Sequence, residues 1–382
     1  MKNSILITAL FLASLSSAQT LKDSTNLKNN EQVNSSQKMI SNSVDSKLTI
    51  GGYGEITYNQ PESLNGELDV QRLVLMLGYK FNDRVQFITE IEFEHVSEVF
   101  IEQAFVNYSI GSNISLRGGL MLVPMGIVNE YHEPTTFNGT ERPAVDNKIV
   151  PTTWRELGVG VNGRFPEVSL SYQAHIFNGF KSTTADGDEI KGLLNGSNGL
   201  RAGRQKGIQS TIDTPTLSAK LDYYGILGLR LGLSGYFGKT QTEDELEDIV
   251  GTDIVGTDIG ITMVGFDARY RYKRFSARGE FIYTSLKDTE QYNTLTGKDL
   301  GSALMGYYVE GAFNLLSLKA KQKLMLFARY EQYDTHASTD GNLLVNDAYN
   351  RTDITAGLSY HIADGVVIKG DYQIKDNNVS GE

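Results

Sequence analysis

The sequence predicts an all-β fold, an antiparallel barrel that crosses a membrane on its strands. Three observations carry this. From Lys47 onward apolar and polar residues alternate at period two in segments of about ten residues. No stretch sustains a helical period. The connections between segments alternate between short and generally longer ones, a parity that membrane barrels keep and soluble sandwiches have no reason to keep.

The N-terminus comes first. Lys2 precedes an apolar run from Ile5 to Leu15, and Ser16-Ser17-Ala18 offers small residues where a leader is cut, so residues 1–18 read as an export signal with Gln19 at the mature end. The run is too short for a membrane helix of about twenty residues. Without cysteine there is no lipid anchor at the cleavage site, no disulfide and no thiolate metal site. The formal charge of −11 becomes −12 without Lys2, because the leader holds one cation and no acid. Nucleic acid and anionic membrane surfaces are thereby poor partners. Residues 19–46 are rich in Asn, Ser, Lys and Gln with no apolar period, and read as a disordered periplasmic tail.

The barrel domain then spans 47–382. In Val85–Glu94 the residues Val85, Phe87, Ile91 and Phe93 share one face, while Gln86, Glu90, Glu92 and Glu94 take the other. One face suits lipid and the other water. Several apolar faces end in an aromatic residue, as at Tyr79, Phe81, Tyr108, Tyr283, Tyr330, Tyr360 and Tyr372, which fits an interfacial girdle. Short connections such as Asn82 to Arg84, Lys273-Arg274 and Ala363 to Gly365 alternate with long ones such as Pro124 to Trp154 and Asn178 to Gly207.

Fifteen strands follow, with starts at Leu48, Leu68, Val85, Val99, Ile114, Glu156, Val168, Leu217, Leu229, Met263, Phe275, Met305, Leu324, Asp353 and Val366. Bacterial barrels have an even number. The expectation is therefore a sixteen-strand barrel whose last strand is missing from this chain, wide enough to hold water.

The segment Pro124-Met125-Gly126, Asn129-Glu130, His132, Pro134, Glu141-Arg142-Pro143, Ile149, Pro151 and Trp154-Arg155-Glu156-Leu157-Gly158 resembles the signature of the phosphate-selective porin O and P family, in the form seen in Bacteroidetes outer-membrane porins. Glu102-Gln103-Ala104, Asn178-Gly179-Phe180 and Arg329-Tyr330-Glu331 add to the likeness, which spans roughly Gly51 to Lys375. The resemblance implies an outer-membrane porin, homotrimeric, passing small hydrophilic solutes or anions such as phosphate past a long inward loop. It implies no cofactor and no catalysis. The family's phosphate-binding residues do not map one by one onto this chain, so phosphate specificity is not carried over with the name.

Candidate site residues fall in two groups. On the long loop, Glu130, His132, Glu141, Arg142 and Lys148 are expected to line a constriction. On the wall, Arg230, Asp267, Arg269, Arg271, Arg278 and Glu280 form a charge ladder. A two-residue turn at Lys273-Arg274 sets Arg269 opposite Arg278 and Asp267 opposite Glu280. The ladder reads first as a mutually satisfied wall, with diagonal Arg269–Glu280 and Asp267–Arg278 pairs offsetting the like charges. Its functional alternative is an anion-guiding step. Across the whole lumen face the two signs are nearly balanced, which predicts mild selectivity. Glu130, His132 and Glu133 could suit a divalent ion, but read more simply as loop hydrogen bonding. Glu243 to Asp258 is acidic without the spacing of a calcium loop. Gly158-Val159-Gly160-Val161-Asn162-Gly163 matches a dinucleotide fingerprint in letters, but with strand on both sides. The rival reading is a structural or adhesive barrel with a blocked lumen. A barrel lipase would need a nucleophile that the pattern does not offer.

Overall fold

The computed structural model describes residues 4–13, 34–42, 47–186, 189–242 and 257–379. Its strands are β1 (Ser4–Ala13), β2 (Leu48–Pro61), β3 (Glu67–Lys80), β4 (Val85–Glu94), β5 (Glu98–Ser109), β6 (Ile114–Leu122), β7 (Arg155–Phe165) and β8 (Leu170–Phe177). There follow β9 (Thr183–Asp186), β10 (Glu189–Gly192), β11 (Thr216–Ile226), β12 (Leu229–Lys239), β13 (Gly260–Tyr272), β14 (Phe275–Lys287), β15 (Ala303–Asn314), β16 (Lys323–Ser338), β17 (Asn350–Ala363) and β18 (Val366–Asn377). Sixteen of these close into one antiparallel ring, and β9 and β10 form a separate hairpin within a long loop. The helices are α1 (Ser35–Asn42), α2 (Val145–Lys148) and α3 (Thr289–Thr296).

Alternation makes the barrel inside-out. On β4, Glu90 and Glu92 are buried while Phe93 is exposed. The same holds around the ring, where Lys220, Asp222, Asp267, Glu280, Glu310, Arg329 and Asp371 face inward, and Leu73, Val159, Leu233, Phe266 and Val309 face outward. A strand whose apolar half meets lipid must place its polar half in the lumen, because side chains alternate with period two. Tyr79, Phe81, Tyr108, Tyr283 and Tyr330 are exposed among the aromatic residues expected in a girdle.

Each of the fifteen expected strands is present, starting within three residues of its expected position. Two expectations for the N-terminus are revised. The sixteenth position, expected to be missing, is taken by β1, which pairs Ser4 with Lys375 and Ala13 with Val366 on one side, and Leu6 with Pro61 and Ala13 with Gly54 on the other. The segment expected to be a leader thus closes the ring here. A fifteen-strand sheet would leave unpaired backbone along β2 and β18, and ten residues suffice to cover both edges. The second revision concerns the disordered tail. Ser35–Asn42 is helical and lies inside the barrel. Asn34 caps it, its side chain accepting from the Gln37 N–H at 2.8 Å while the Gln37 side chain accepts from the Asn34 N–H at 3.3 Å. That reciprocal pair is a capping box. Residues 14–33 lie outside the described part, as does most of the acidic stretch Glu243 to Asp258.

The dipeptide Lys273-Arg274 turns as expected and sets the register, with Asp267 opposite Glu280 and Arg269 opposite Arg278. The glycine-rich run 158–163 lies within β7, a strand followed by the strand β8.

The apolar core sits inside the lumen. Residues 123–154 follow β6 and fold inward, and Trp154, wholly buried, packs on Phe180 and Tyr236 at ring-centroid distances of 4.7 and 4.6 Å. Met125, Ile149, Met263, Ile282 and Leu304 continue this cluster between the loop and the wall. Burying an indole together with its partners is worth several kcal/mol, roughly 3–5 on truncation to alanine.

Candidate functional site

The inward loop is tied to the wall by charged side chains that meet its backbone. Gly126 has a positive φ of 64°, and a Cβ there would stand 2.5 Å from a Glu280 carboxylate oxygen. Only glycine lets the next residue, Ile127, donate its N–H to Glu280 at 2.5 Å. Lys220 donates to the Gly126 carbonyl at 2.5 Å and pairs with Glu130 at 3.1 Å. Lys369 donates to three loop carbonyls, Pro134, Phe137 and Gly139, at 2.5, 2.6 and 2.8 Å. Asp371 accepts from the Thr140 N–H at 2.6 Å, and Glu310 accepts from the Asn138 side chain at 2.8 Å. The loop is thus a crossbar resting on strands from β11 round to β18.

The expected constriction residues separate. Glu130 is buried between Lys220 and Gln173, whose amide donates to it at 2.7 Å. His132 faces Glu90 at 3.5 Å, and Glu133 accepts from the Ser35 N–H at 2.6 Å. These three groups have three separate partners, and no His, Asp and Glu group among the described residues could hold a metal ion. Lys148 donates to Asn198 in the next long loop. Glu141 lies 3.8 Å from Lys375. Arg142 donates to the His132 carbonyl at 3.2 Å and, with Glu141, faces an open cavity.

The ladder cations Arg230, Arg269 and Arg278 are ion-paired through partners other than those expected, while Glu280 takes the Ile127 N–H and has no ion pair among the described residues. Arg230 makes two 3.0 Å bonds to Asp222. Arg269 pairs with Asp222 at 3.1 Å and Asp267 at 3.2 Å, and Arg278 pairs with Glu310 at 2.9 Å. The diagonal Arg269–Glu280 and Asp267–Arg278 pairs are not what neutralise the like charges. Each guanidinium of the facing pair has a nearer carboxylate, Arg269 on its own strand and on β11, Arg278 on β15. Arg271 lies at the exposed, short-turn end of β13.

What the sequence reading missed is a vestibule of about 400 Å³ on the long-loop side of the crossbar, lined by six Arg and Lys side chains and by the acids Glu55, Glu94, Glu102, Glu141 and Asp146. Arg142 reaches it from the crossbar, Arg155 from the start of β7, and Arg201, Arg204 and Lys206 from the loop after β10. Arg155 is neutralised by Glu102 at 2.7 Å, and Arg72, on the β3 wall, by Glu55 and Glu92 at 2.9 and 2.8 Å. The remaining four are held without carboxylates among the described residues. Arg201 donates to the Thr152 carbonyl at 2.7 Å, and Arg204 to the Pro151, Thr153 and Arg201 carbonyls at 3.0, 2.7 and 3.0 Å. Lys206 lies 5.4 Å from the Phe100 ring centre. Neutral acceptors fix an arginine's position and leave its charge uncancelled. Burial, with Arg201 and Arg155 close by, pushes the Arg204 guanidinium down to about 9, and burial with Arg204 and Arg155 also lowers Lys206. An anion in the cavity would relieve that repulsion. The run Arg201-Ala-Gly-Arg204-Gln-Lys206 was legible as three cations in six residues; its convergence with Arg142 was not.

The comparisons agree with this architecture. The chain is 31% identical over 356 residues to an uncharacterised protein of Aquifex aeolicus (strain VF5), covering 86% of this chain and 76% of the other. Two solved structures of OmpT, an outer membrane protein of Vibrio cholerae, share the fold. The form lacking loop L8 matches with a TM-score of 0.51 at 10% identity, over 87% of this chain and 100% of that one. The in-vitro folded form matches with a TM-score of 0.50 at 10% identity, over 87% and 98%. The profile of the family described as phosphate-selective porin O and P matches residues 51–380, and the chain belongs to that family, as an outer-membrane porin.

Proposed function

We propose that this porin is a passive, anion-preferring channel whose filter is the vestibule formed by Arg142, Arg201, Arg204 and Lys206. The observation that carries the reading is that these four cations share one cavity with no carboxylate partner among the described residues, while Arg230, Arg269 and Arg278 of the wall and Lys220 under the crossbar are ion-paired. Uncancelled charge at a narrow point attracts one sign of ion and repels the other. Small anions, phosphate among them, would enter from the long-loop side and exchange one set of weak donors for the next. Of the expected constriction residues, Arg142 is given the filter role; Glu130 and His132 hold the crossbar in place. No step in this reading makes or breaks a covalent bond. The test is a planar bilayer measurement across a potassium chloride gradient, repeated with phosphate. A reversal potential on the anion side is expected, and one on the cation side refutes the filter.

The rival reading, an adhesive barrel with a blocked lumen, draws on the same crossbar and its many wall contacts. Liposome swelling with small sugars separates the two, since a blocked barrel admits none. Homotrimeric assembly in outer-membrane lipid belongs to the proposal and is checked by cross-linking in detergent. So does export with removal of residues 1–18, for which the intact mass of the membrane-extracted chain should correspond to a start at Gln19. Removal would take β1 out of the ring and leave the facing edges of β2 and β18 to another partner.

A further inference from the structure

Apart from the apolar core under the crossbar, the lumen face carries a second, smaller apolar patch. Tyr53, Val74 and Met76, on β2 and β3, are buried there, and the Met39 side chain of α1 completes the cluster. Two glycines make the seat. A Cβ on Gly51 would stand 3.4 Å from the Met39 Cε, and a Cβ on Gly78 would stand 3.7 Å from the Met39 Cβ. Around this anchor the helix is tied at both ends. The Asn34 side chain donates to the Glu130 carbonyl at 2.9 Å, and the Ser35 N–H donates to Glu133. Gln103 donates to the Ser36 hydroxyl at 3.0 Å, and Gln86 to the Ile40 carbonyl at 3.3 Å.

The position of these ties decides what the helix does. The crossbar rests mainly on β11 to β18, with His132 reaching Glu90 on β4 and Glu130 reaching Gln173 on β8, and the vestibule opens between it and β2 to β5. Directly below, on that same wall and toward the short-turn end, stands α1, its first residues against Glu130 and Glu133 of the crossbar. The cavity between α1, the crossbar and the β5–β8 wall measures about 20 Å³, room for one water. Among the described residues, the helix thus stands in the lumen against the β2–β4 wall, beside the crossbar.

We propose that α1 is a tethered stopper that closes the periplasmic half of the channel while Met39 is seated, and that leaving the seat opens it. The proposal rests on the channel reading above. The helix suits a reversible part. It is eight residues long, too short to be stable away from a surface, and it is anchored by two apolar side chains, Met39 and the partly buried Ile40, and a few polar ties to groups that water can serve equally well. Unseated, it would lose its fold rather than block the pore from another place.

A cysteine pair tests this in the full chain, which has no cysteine of its own. Met39→Cys with Gly78→Cys places the two Cβ atoms about 3.7 Å apart, within the roughly 3.5–4.5 Å that a disulfide spans. Oxidised channels in a planar bilayer should show low conductance, and adding a thiol reductant to the same membrane should raise it several-fold. Met39→Asp, which puts a charge into the apolar seat, should show the high conductance under both conditions. Equal conductance before and after reduction, with the disulfide verified by mass, overturns the stopper and leaves the channel reading standing. Absence of conductance from both redox states and from M39D overturns the channel reading, and the stopper with it.

Discussion

Neutralising Arg201 and Arg204 together gives the sharpest test of the vestibule. Arg201→Gln and Arg204→Gln remove two charges while leaving a donor at each site for the carbonyls of Thr152, Pro151 and Thr153 that now hold the guanidiniums. A cavity of about 400 Å³ keeps an occupying ion close to its lining. At a separation of about 6 Å, in an effective dielectric of about 40 between those of water and a protein surface, one charge interacts with the ion by roughly 1.4 kcal/mol. Screening at 0.1 M salt, with a Debye length of about 10 Å, reduces this to about 0.8 kcal/mol. The anion loses this much and the cation gains it, so the preference falls by about 1.5 kcal/mol, or about tenfold, for each arginine removed. The assay is the reversal potential across a salt gradient, with strand content by circular dichroism and the heat-shifted band on gels as checks of folding. A folded double variant with the parent's reversal potential would refute the idea that carbonyl-held arginines set the selectivity.

Three further outcomes are expected. Removing Arg269 together with Asp267, and Arg278 together with Glu310, all to Ala so that no charge is left over, should leave the reversal potential where it is, because these groups already cancel one another; a marked shift would restore the ladder as a guiding step. Lys369→Met, which keeps the stem and removes the ammonium, strips the donor from three loop carbonyls and should cost about 2–4 kcal/mol of stability, seen as a lower unfolding temperature of the barrel band. Anion preference should decline as pH rises. Burial, Arg204 and Arg155 lower Lys206, so its proton is lost below the ordinary lysine range near about 10.4 and the vestibule then holds one charge fewer. Lys206→Met should remove the alkaline decline that is due to this residue, and an unchanged pH profile in that variant would exclude Lys206 from the filter.

The barrel was readable because its signals are local. Alternation in Val85–Glu94 places Glu90 and Glu92 inward whatever their neighbours do, and the two-residue turn at Lys273-Arg274 alone sets Asp267 opposite Glu280. The capping box of Asn34 and Gln37 was also present in the letters, yet eight residues without an apolar period gave no reason to expect a helix. Its fold depends on Met39 finding Tyr53, Val74 and Met76, residues fourteen to thirty-seven positions away that only the closed wall brings together.

Charge compensation is the property that most depended on the third dimension. Counting acids and bases on the lumen face predicts near balance, and over the wall that holds, since Arg230, Arg269, Arg278 and Arg329 all meet carboxylates. The proposed selectivity depends on where cations without a carboxylate partner among the described residues share an open space, as Arg142, Arg201, Arg204 and Lys206 do, contributed by two loops some sixty residues apart. Strand, register and facing follow from neighbours along the chain, which the sequence states outright. Whether a given arginine meets a carboxylate or a backbone carbonyl follows from how those loops fold into a shared lumen, and only the tertiary structure decides that.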